Sequence, residues 1–171
     1  MIYEIAELRL GEGRLGICPM PGRGGDYGGD LLQLLNWAPG LVLTMTSQAE
    51  LRSRGAADLG ADLKRAGISW HHLPVMDFGS QSDGLQQGWA AASGEAHAVL
   101  ADGGRVLAHC MGGCGRSGMA LMRLMVEAGE NADPALERLR DVRPCAVETE
   151  DQRGWAAEPM WDRLRQERGT D

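Results

Sequence analysis

Ten residues, His109-Cys110-Met111-Gly112-Gly113-Cys114-Gly115-Arg116-Ser117-Gly118, leave the chain around them little choice of local structure. Before them, Arg105-Val106-Leu107-Ala108 reads as a short buried strand. After them, Ser117 to Ala128 reads as a helix that is apolar on nearly every side. A strand, a Gly-rich turn and a helix gather the turn's backbone N–H groups around one point at a helix N-terminus. Unpaired amides and the helix dipole both favour negative charge there, so the turn is an anion site. Cys110 opens the turn and Arg116 closes it, with five residues between them. A thiol in such a field loses its proton easily and becomes a nucleophile at neutral pH. Arg116 offers a planar two-pronged donor suited to phosphate oxygens. A cation at a helix N-terminus opposes the dipole, so Arg116 needs an anionic partner, and phosphate supplies one.

Cys-x5-Arg-Ser preceded by His resembles the phosphate loop of the cysteine-dependent protein tyrosine phosphatases. The fuller Cys-x-x-Gly-x-Gly-Arg-Ser-Gly, filled here by Gly113, Gly115 and Gly118, resembles the compact dual-specificity branch. Two further segments extend the likeness over residues 15 to 155, where it is most similar to the kinase-associated-phosphatase type. The resemblance implies an α/β fold with a central, mostly parallel sheet flanked by helices. It also implies that Met111, Gly112, Gly113, Cys114, Gly115 and Arg116 bind the phosphoryl group that Cys110 attacks. His109 takes a supporting role in that scheme, holding the loop by hydrogen bonds. Ser117 matches the residue that stabilises the departing thiolate, beside its ordinary reading as a helix-capping hydroxyl.

A phosphoester leaving group needs a proton, so a carboxylic acid should face the loop. Trp70-His71-His72-Leu73-Pro74-Val75-Met76-Asp77-Phe78-Gly79 is the second familiar segment. A strand ending in Pro-x-x-Asp some thirty residues before the nucleophile is where the resembled family keeps its general acid. Asp77 is therefore the expected acid. Asp83, on the same loop, is the alternative and reads more naturally as a helix cap. Gln81-Ser82 stands where the family usually has a proline. The third segment, Arg143 to Gln152, resembles the Arg-x-x-x-x-Glu-Thr-x-x-Gln region that packs beside the phosphate loop. Gln152 there can help position water, although a capping box with Thr149 explains it fully. Arg143 reads as a structural ion-pair partner. Cys114 reads as a small loop residue whose amide binds phosphate; the alternative is that oxidation joins it to Cys110.

The rest of the chain fits one phosphatase domain over residues 1–171. A net charge of −7 argues against nucleic acid and anionic membrane surfaces as partners. No stretch reaches the length of a membrane span, no leader pattern opens the chain, and the cytoplasm is the expected compartment. Four cysteines are too few for a disulfide scaffold and are read as reduced thiols. Strands are expected around Gly11–Gly13, over Leu15–Cys18, Leu41–Met45 and Ile68–Val75. Pro21 to Gly29 reads as a loop, and Asp30 as the cap of a helix from Leu31 to Trp37. Ser47 with Glu50 forms a capping box, and Ala56, Leu59, Leu63 and Ala66 share the face of a second helix that Gly67 stops. Asp83 caps a long helix carrying Leu85, Trp89, Ala92, Ala96 and Val99. Asp133-Pro134 opens another, and Thr149 opens a last one that Pro159 kinks or splits, with fraying from Gln166 onward.

Other chemistries fit less well. His71, His72, His109, Cys110 and Cys114 suggest zinc, yet Cys-x3-Cys among glycines lacks a second ligand pair. A nucleotide-binding loop would end Gly-Lys-Ser or Gly-Lys-Thr, and this one ends Gly-Arg-Ser. A sulfur-transfer enzyme would leave the Asp77 segment unexplained. The expectation is a phosphatase acting on a phosphorylated protein without metal or organic cofactor; the alternative is a noncatalytic phosphoprotein-binding module on the same loop. The oligomeric state is not fixed by the sequence.

Overall fold

The structure is a computed structural model that describes residues 2–169. Five strands form one sheet in the order β1-β2-β5-β3-β4: β1 (Ala6–Leu10), β2 (Gly13–Cys18), β3 (Leu41–Thr44), β4 (Ser69–His72) and β5 (Arg105–His109). The β1–β2 hairpin is antiparallel, and every other pairing is parallel. Alternation along the strands decides the layering. Leu15, Ile17, Leu41, Leu43, Val106 and Ala108 point to one side, where α4 (Asp83–Ala101), α5 (Gly115–Glu127), α6 (Ala132–Val142) and α7 (Glu150–Arg168) cover them. Cys18, Val42 and Leu107 point to the other, against α1 (Tyr27–Trp37), α2 (Gln48–Ser53) and α3 (Leu59–Arg65). The expected α/β architecture is the observed one. Among the described residues no helix is long and apolar enough to cross a membrane.

Helix α5 runs through the middle of the thicker layer, and Gly115 through Met122 is buried without a break. That is why its sequence is apolar on nearly every side, with Arg123 and Glu127 as the partly exposed exceptions. Both capping boxes form, Ser47 with Glu50 at α2 and Thr149 with Gln152 at α7.

Three helix starts differ from expectation. Helix α1 begins at Tyr27, with Asp26 accepting from the Gly29 N–H, so Gly28 and Gly29 are helical; Asp30 instead accepts from the Gly22 N–H. Ser82, not Asp83, caps α4, and Asn131, not Asp133, precedes α6. In all three a short polar residue just upstream takes the cap position. Strand β4 stops at His72, yet Leu73 and Val75 still donate to Thr44 and Met45 along the same edge. Helix α7 stays continuous to Arg168, beyond the fraying expected at Gln166; Thr170 and Asp171 lie outside the described residues.

Pro159 does not split α7, for a specific reason. A proline removes the donor that the carbonyl four residues earlier would use. That carbonyl belongs to Trp155, and Arg123 Nη1 from α5 donates to it at 2.8 Å. The same guanidinium stacks over the Trp155 ring at 4.4 Å and pairs with Glu158 at 2.9 Å. Arg123→Met keeps the bulk but strands the Trp155 carbonyl, so chemical denaturation should show a loss of about 1–3 kcal/mol. That loss should shrink in a Pro159→Ala background, where the helix supplies its own donor.

Candidate active site

Strands β2, β3, β4 and β5 run in parallel, so their C-terminal ends share one edge of the sheet, where open α/β folds collect their ligands. Cys18 and Thr44 flank His109 in register, and the turn from Cys110 to Cys114 leads from that edge into α5. The outward carbonyls of this turn are tied down. Met20 N–H donates to Met111 O at 3.1 Å. Arg143 donates from Nη2 to Gly112 O and from Nε to Gly113 O, each at 2.9 Å. Val147 N–H reaches Cys114 O at 3.3 Å. In a trans peptide the following N–H points opposite to the carbonyl, so each tie turns the next amide inward. The N–H groups of Met111, Gly112, Gly113 and Cys114 find no acceptor among the described residues, and the Gly115 N–H is taken by Glu148 Oε1 at 2.8 Å. Gly113 has φ +72°, and a Cβ there would lie 2.6 Å from Cys18 O, so the turn closes only with glycine.

Cys110 lies at the floor, 3% exposed, with Sγ 3.2 Å from the buried Ser117 Oγ. Arg116 is 1% exposed. Its Nη1 donates to Glu50 Oε2 at 3.0 Å and Val75 O at 2.9 Å, and its Nη2 to Glu50 Oε1 at 2.9 Å. The buried Nε has no acceptor among the described residues. Partial burial alone would raise the Glu50 carboxyl; hydrogen bonds from Arg116 and Ser47 outweigh it and hold the group below the ordinary carboxylate range. Sequence reasoning gave Arg116 only a phosphate as partner and missed Glu50, whose capping box accounted for it without a second role.

Asp77 is brought to the site and Asp83 is not. Asp77 Oδ1 lies 3.7 Å from Arg116 Nη2 and accepts from the Phe78 N–H at 3.0 Å, while Asp83 is exposed in the first turn of α4. The loop lacks the family's proline, yet it is anchored. Ser82 Oγ donates to Pro74 O at 2.6 Å, and Gln152 Nε2 donates to Gly79 O at 3.1 Å. Fully buried Gln152 also accepts from Glu148 and Thr149 N–H, so its capping role and its contact with the loop coexist.

Two sequence-based expectations fail in the segment after α6. Arg143 has no carboxylate partner among the described residues; the loop carbonyls take its donors. Cys114 is neither a free thiol nor a partner for Cys110. It is disulfide-bonded to Cys145, 31 residues away, with a Cα–Cα distance of 5.1 Å. Cys18 and Cys110 are free. Burial pushes the Cys18 thiol up to about 12. The histidines weighed as zinc ligands face separate partners: His71 meets Glu95, His72 the Thr46 carbonyl, and His109 the Thr44 hydroxyl.

No protein-family model and no curated protein matches this sequence. Solved structures do match. The chain is similar to the kinase associated phosphatase carrying serine in place of its catalytic-site cysteine, with 22% identity, TM-score 0.81, and 96% and 97% of the two chains covered. The protein has the protein tyrosine phosphatase fold in its compact dual-specificity form. Tk-PTP in its active form is 28% identical, with 86% of this chain and 91% of that one covered at TM-score 0.65. PTPMT1 in complex with PI(5)P is 18% identical, with 94% and 97% covered at TM-score 0.72.

His109 sits at the root of the phosphatase-like loop, fully buried, and burial pushes its imidazole from the ordinary 6.5 down to about 4. A neutral ring facing the Cys110 carbonyl must carry its proton on Nδ1, 3.4 Å away. Nε2 then accepts from Thr44 Oγ1 at 2.7 Å, whose oxygen in turn accepts from Trp70 Nε1. The folded state resists protonation that the unfolded chain accepts, so stability is full above pH 6.5 and falls as the pH drops toward 4. The loss should reach the order of 3 kcal/mol, at about 1.4 kcal/mol per pH unit. Urea midpoints from pH 7 to 4 should fall more steeply for the wild type than for His109→Asn; parallel curves would assign the acid sensitivity elsewhere.

Proposed function

We propose that this protein is a phosphatase that hydrolyses phosphomonoesters through a cysteinyl-phosphate intermediate. One observation carries the reading: the four amides that follow Cys110 in its loop and the Nε of buried Arg116 are all unpaired among the described residues. Buried donors without acceptors are costly, and an oxyanion with several oxygens satisfies them together. Those donors supply the charge stabilisation that a metal supplies elsewhere, so the reaction needs neither metal nor organic cofactor.

In the first step the Cys110 thiolate attacks phosphorus. The S–P bond forms, the ester P–O bond breaks, and Asp77 gives its proton to the departing oxygen. In the second step Asp77, now a carboxylate, takes a proton from water as that water attacks phosphorus. The S–P bond breaks, and Ser117 Oγ, 3.2 Å from the sulfur, stabilises the returning thiolate. The amides of Met111 to Cys114 and the Arg116 guanidinium hold the equatorial oxygens throughout, while the Gly115 N–H, expected to join them, is held by Glu148. His109 and Gln152 support the loop from behind.

The substrate on this reading is a phosphorylated protein, with phosphotyrosine first and phosphoserine or phosphothreonine as further candidates. Met111, Gly112 and Cys114 bring no lysine for a polyphosphorylated lipid headgroup. Met76 and Phe78, on either side of Asp77, are 83% and 58% exposed, which suits an apolar polypeptide or aromatic partner at the rim. The reading takes residues 1–171 as one domain acting in the cytoplasm, with neither nucleic acid nor membrane as partner. The acidic balance of the chain supports the exclusion of nucleic acid and of an anionic membrane surface.

Hydrolysis of p-nitrophenyl phosphate tests the scheme. Turnover should be unaffected by EDTA and abolished by Cys110→Ser. Asp77→Asn should reduce it by about 10²-fold or more, as loss of a general acid does. Phosphopeptide binding by an inactive wild-type protein would instead make the chain a phosphate-reading module.

A further inference from the structure

The disulfide between Cys114 and Cys145 has no part in the chemistry above, yet it joins the loop that cradles the phosphoryl group to the segment that braces it. Cys114 is the residue preceding α5, and its amide is one of the four unpaired donors. Cys145 lies between Arg143, which holds Gly112 O and Gly113 O, and Val147, which holds Cys114 O. Of the four cysteines, Cys145 is the exposed one; Cys114 is partly buried, and Cys18 and Cys110 are buried. An incoming thiolate therefore meets Cys145 first, and the sulfur it displaces is Cys114.

We propose that Cys114–Cys145 is a thiol–disulfide exchange site through which a dithiol reductant lowers the anion affinity of the Cys110 loop. The inference rests on the phosphatase reading for its biological sense, though not for its chemistry. In the exchange, one thiolate of the reductant attacks Cys145 Sγ, a mixed disulfide forms there, and Cys114 leaves as a thiolate. The second thiol of the reductant then displaces Cys145. Two electrons pass to the protein, the reductant becomes a disulfide, and Cys114 and Cys145 end as thiols or thiolates.

The position of Cys114 makes this exchange consequential. A sulfur freed there lies just before α5 on the outer side of the turn, 3.7 Å from the Gly112 carbonyl oxygen, and the helix N-terminus favours it as a thiolate. A low-energy leaving group also favours attack at Cys145 rather than at Cys114. The freed thiolate is a second negative charge in the loop, four residues from Cys110. The closed disulfide keeps Cys114 neutral and leaves its amide to the ligand. It also denies Cys110 a ready intramolecular partner four residues along the loop. The tie from Met20 and the two from Arg143 do not involve sulfur, so opening weakens the cradle without dismantling it.

The test starts from protein purified without reductant, in which differential alkylation should label Cys18 and Cys110 and leave a linked Cys114–Cys145 peptide. Opening that link anaerobically with dithiothreitol should raise KM for p-nitrophenyl phosphate about tenfold, within the range usual for coupling between sites, with a smaller change in kcat. Re-oxidation should restore the closed value. Cys145→Ser, kept reduced, should behave as the open form, and the reduced wild type gives the same comparison if that variant does not fold. Calorimetric binding of inorganic phosphate provides a readout that needs no turnover. If neither form hydrolyses ester but phosphate binds more tightly to the closed one, the phosphatase reading fails and this inference stands. Equal phosphate affinity in closed and open protein, or four free thiols in the unreduced protein, overturns it.

Discussion

A guanidinium buried to 1% exposure is tolerable only where its charge is met and its donors are used. Glu50 meets both needs of Arg116, with one oxygen on each terminal nitrogen. Glu50 is itself fixed, because the same Oε2 that accepts from Arg116 accepts from the Ser47 N–H at 2.8 Å. The starts of α2 and α5, on opposite faces of the sheet, are therefore locked through one carboxylate. Val75 O takes the remaining direction of Nη1, which ties in the strand edge leading to Asp77. The pair holds Arg116 in place with its terminal nitrogens and leaves the buried Nε without an acceptor among the described residues.

The second constraint is the orientation of peptide planes. A Gly-rich turn has many conformations, and only those with amides inward make an anion cradle. Selection comes from outside the turn, where Met20, Arg143 and Val147 capture successive carbonyls. Glu148, a few residues from Arg143, places its carboxylate on the Gly115 N–H. The chain thus puts one of its own anions at the rim of a site whose remaining amides are unpaired. Arg140 holds this bracing segment in turn, donating to Ala146 O at 2.9 Å and Val147 O at 2.8 Å.

How much of this was legible in the sequence follows from the range of each interaction. The strand–turn–helix at residues 105–128 and both capping boxes are written in neighbouring residues, and they form as read. Asp77 was reachable through resemblance, and the structure sets it 3.7 Å from Arg116. Glu50 was misjudged because a local role explained it completely, while its second partner lies 66 residues away. The ion pair expected of Arg143 is replaced by the Gly112 and Gly113 carbonyls, which suit a planar two-pronged donor and lie 30 residues or more away in the chain. The Cys114–Cys145 pairing was hidden because four cysteines allow several pairings, and nothing local brings position 145 to position 114. Pro159 misled for a similar reason: the donor that rescues Trp155 O comes from α5. Helix starts missed by a few residues show the usual competition among adjacent polar residues for one cap.

These contacts separate the site into two tiers. Cys110, Ser117, His109 and Arg116 are buried at the end of the sheet and fixed by partners that are themselves buried or capped. Asp77, Glu148 and Cys145 stand at the exposed rim. Asp77 belongs to a loop in which Phe78 adopts a left-handed backbone, φ +60°, held by contacts from Thr149 and Gln152 to Phe78 O and Gly79 O. Val147, φ +63°, is the matching strained residue on the bracing segment. Strain persists only where neighbours over-determine it; exposed Phe78 and buried Val147 each sit beside a contact that crosses the loop. The inner tier is set by the sheet and by α5 whatever happens at the surface. The outer tier is where a substrate, a proton or a reductant can act without unfolding anything beneath it.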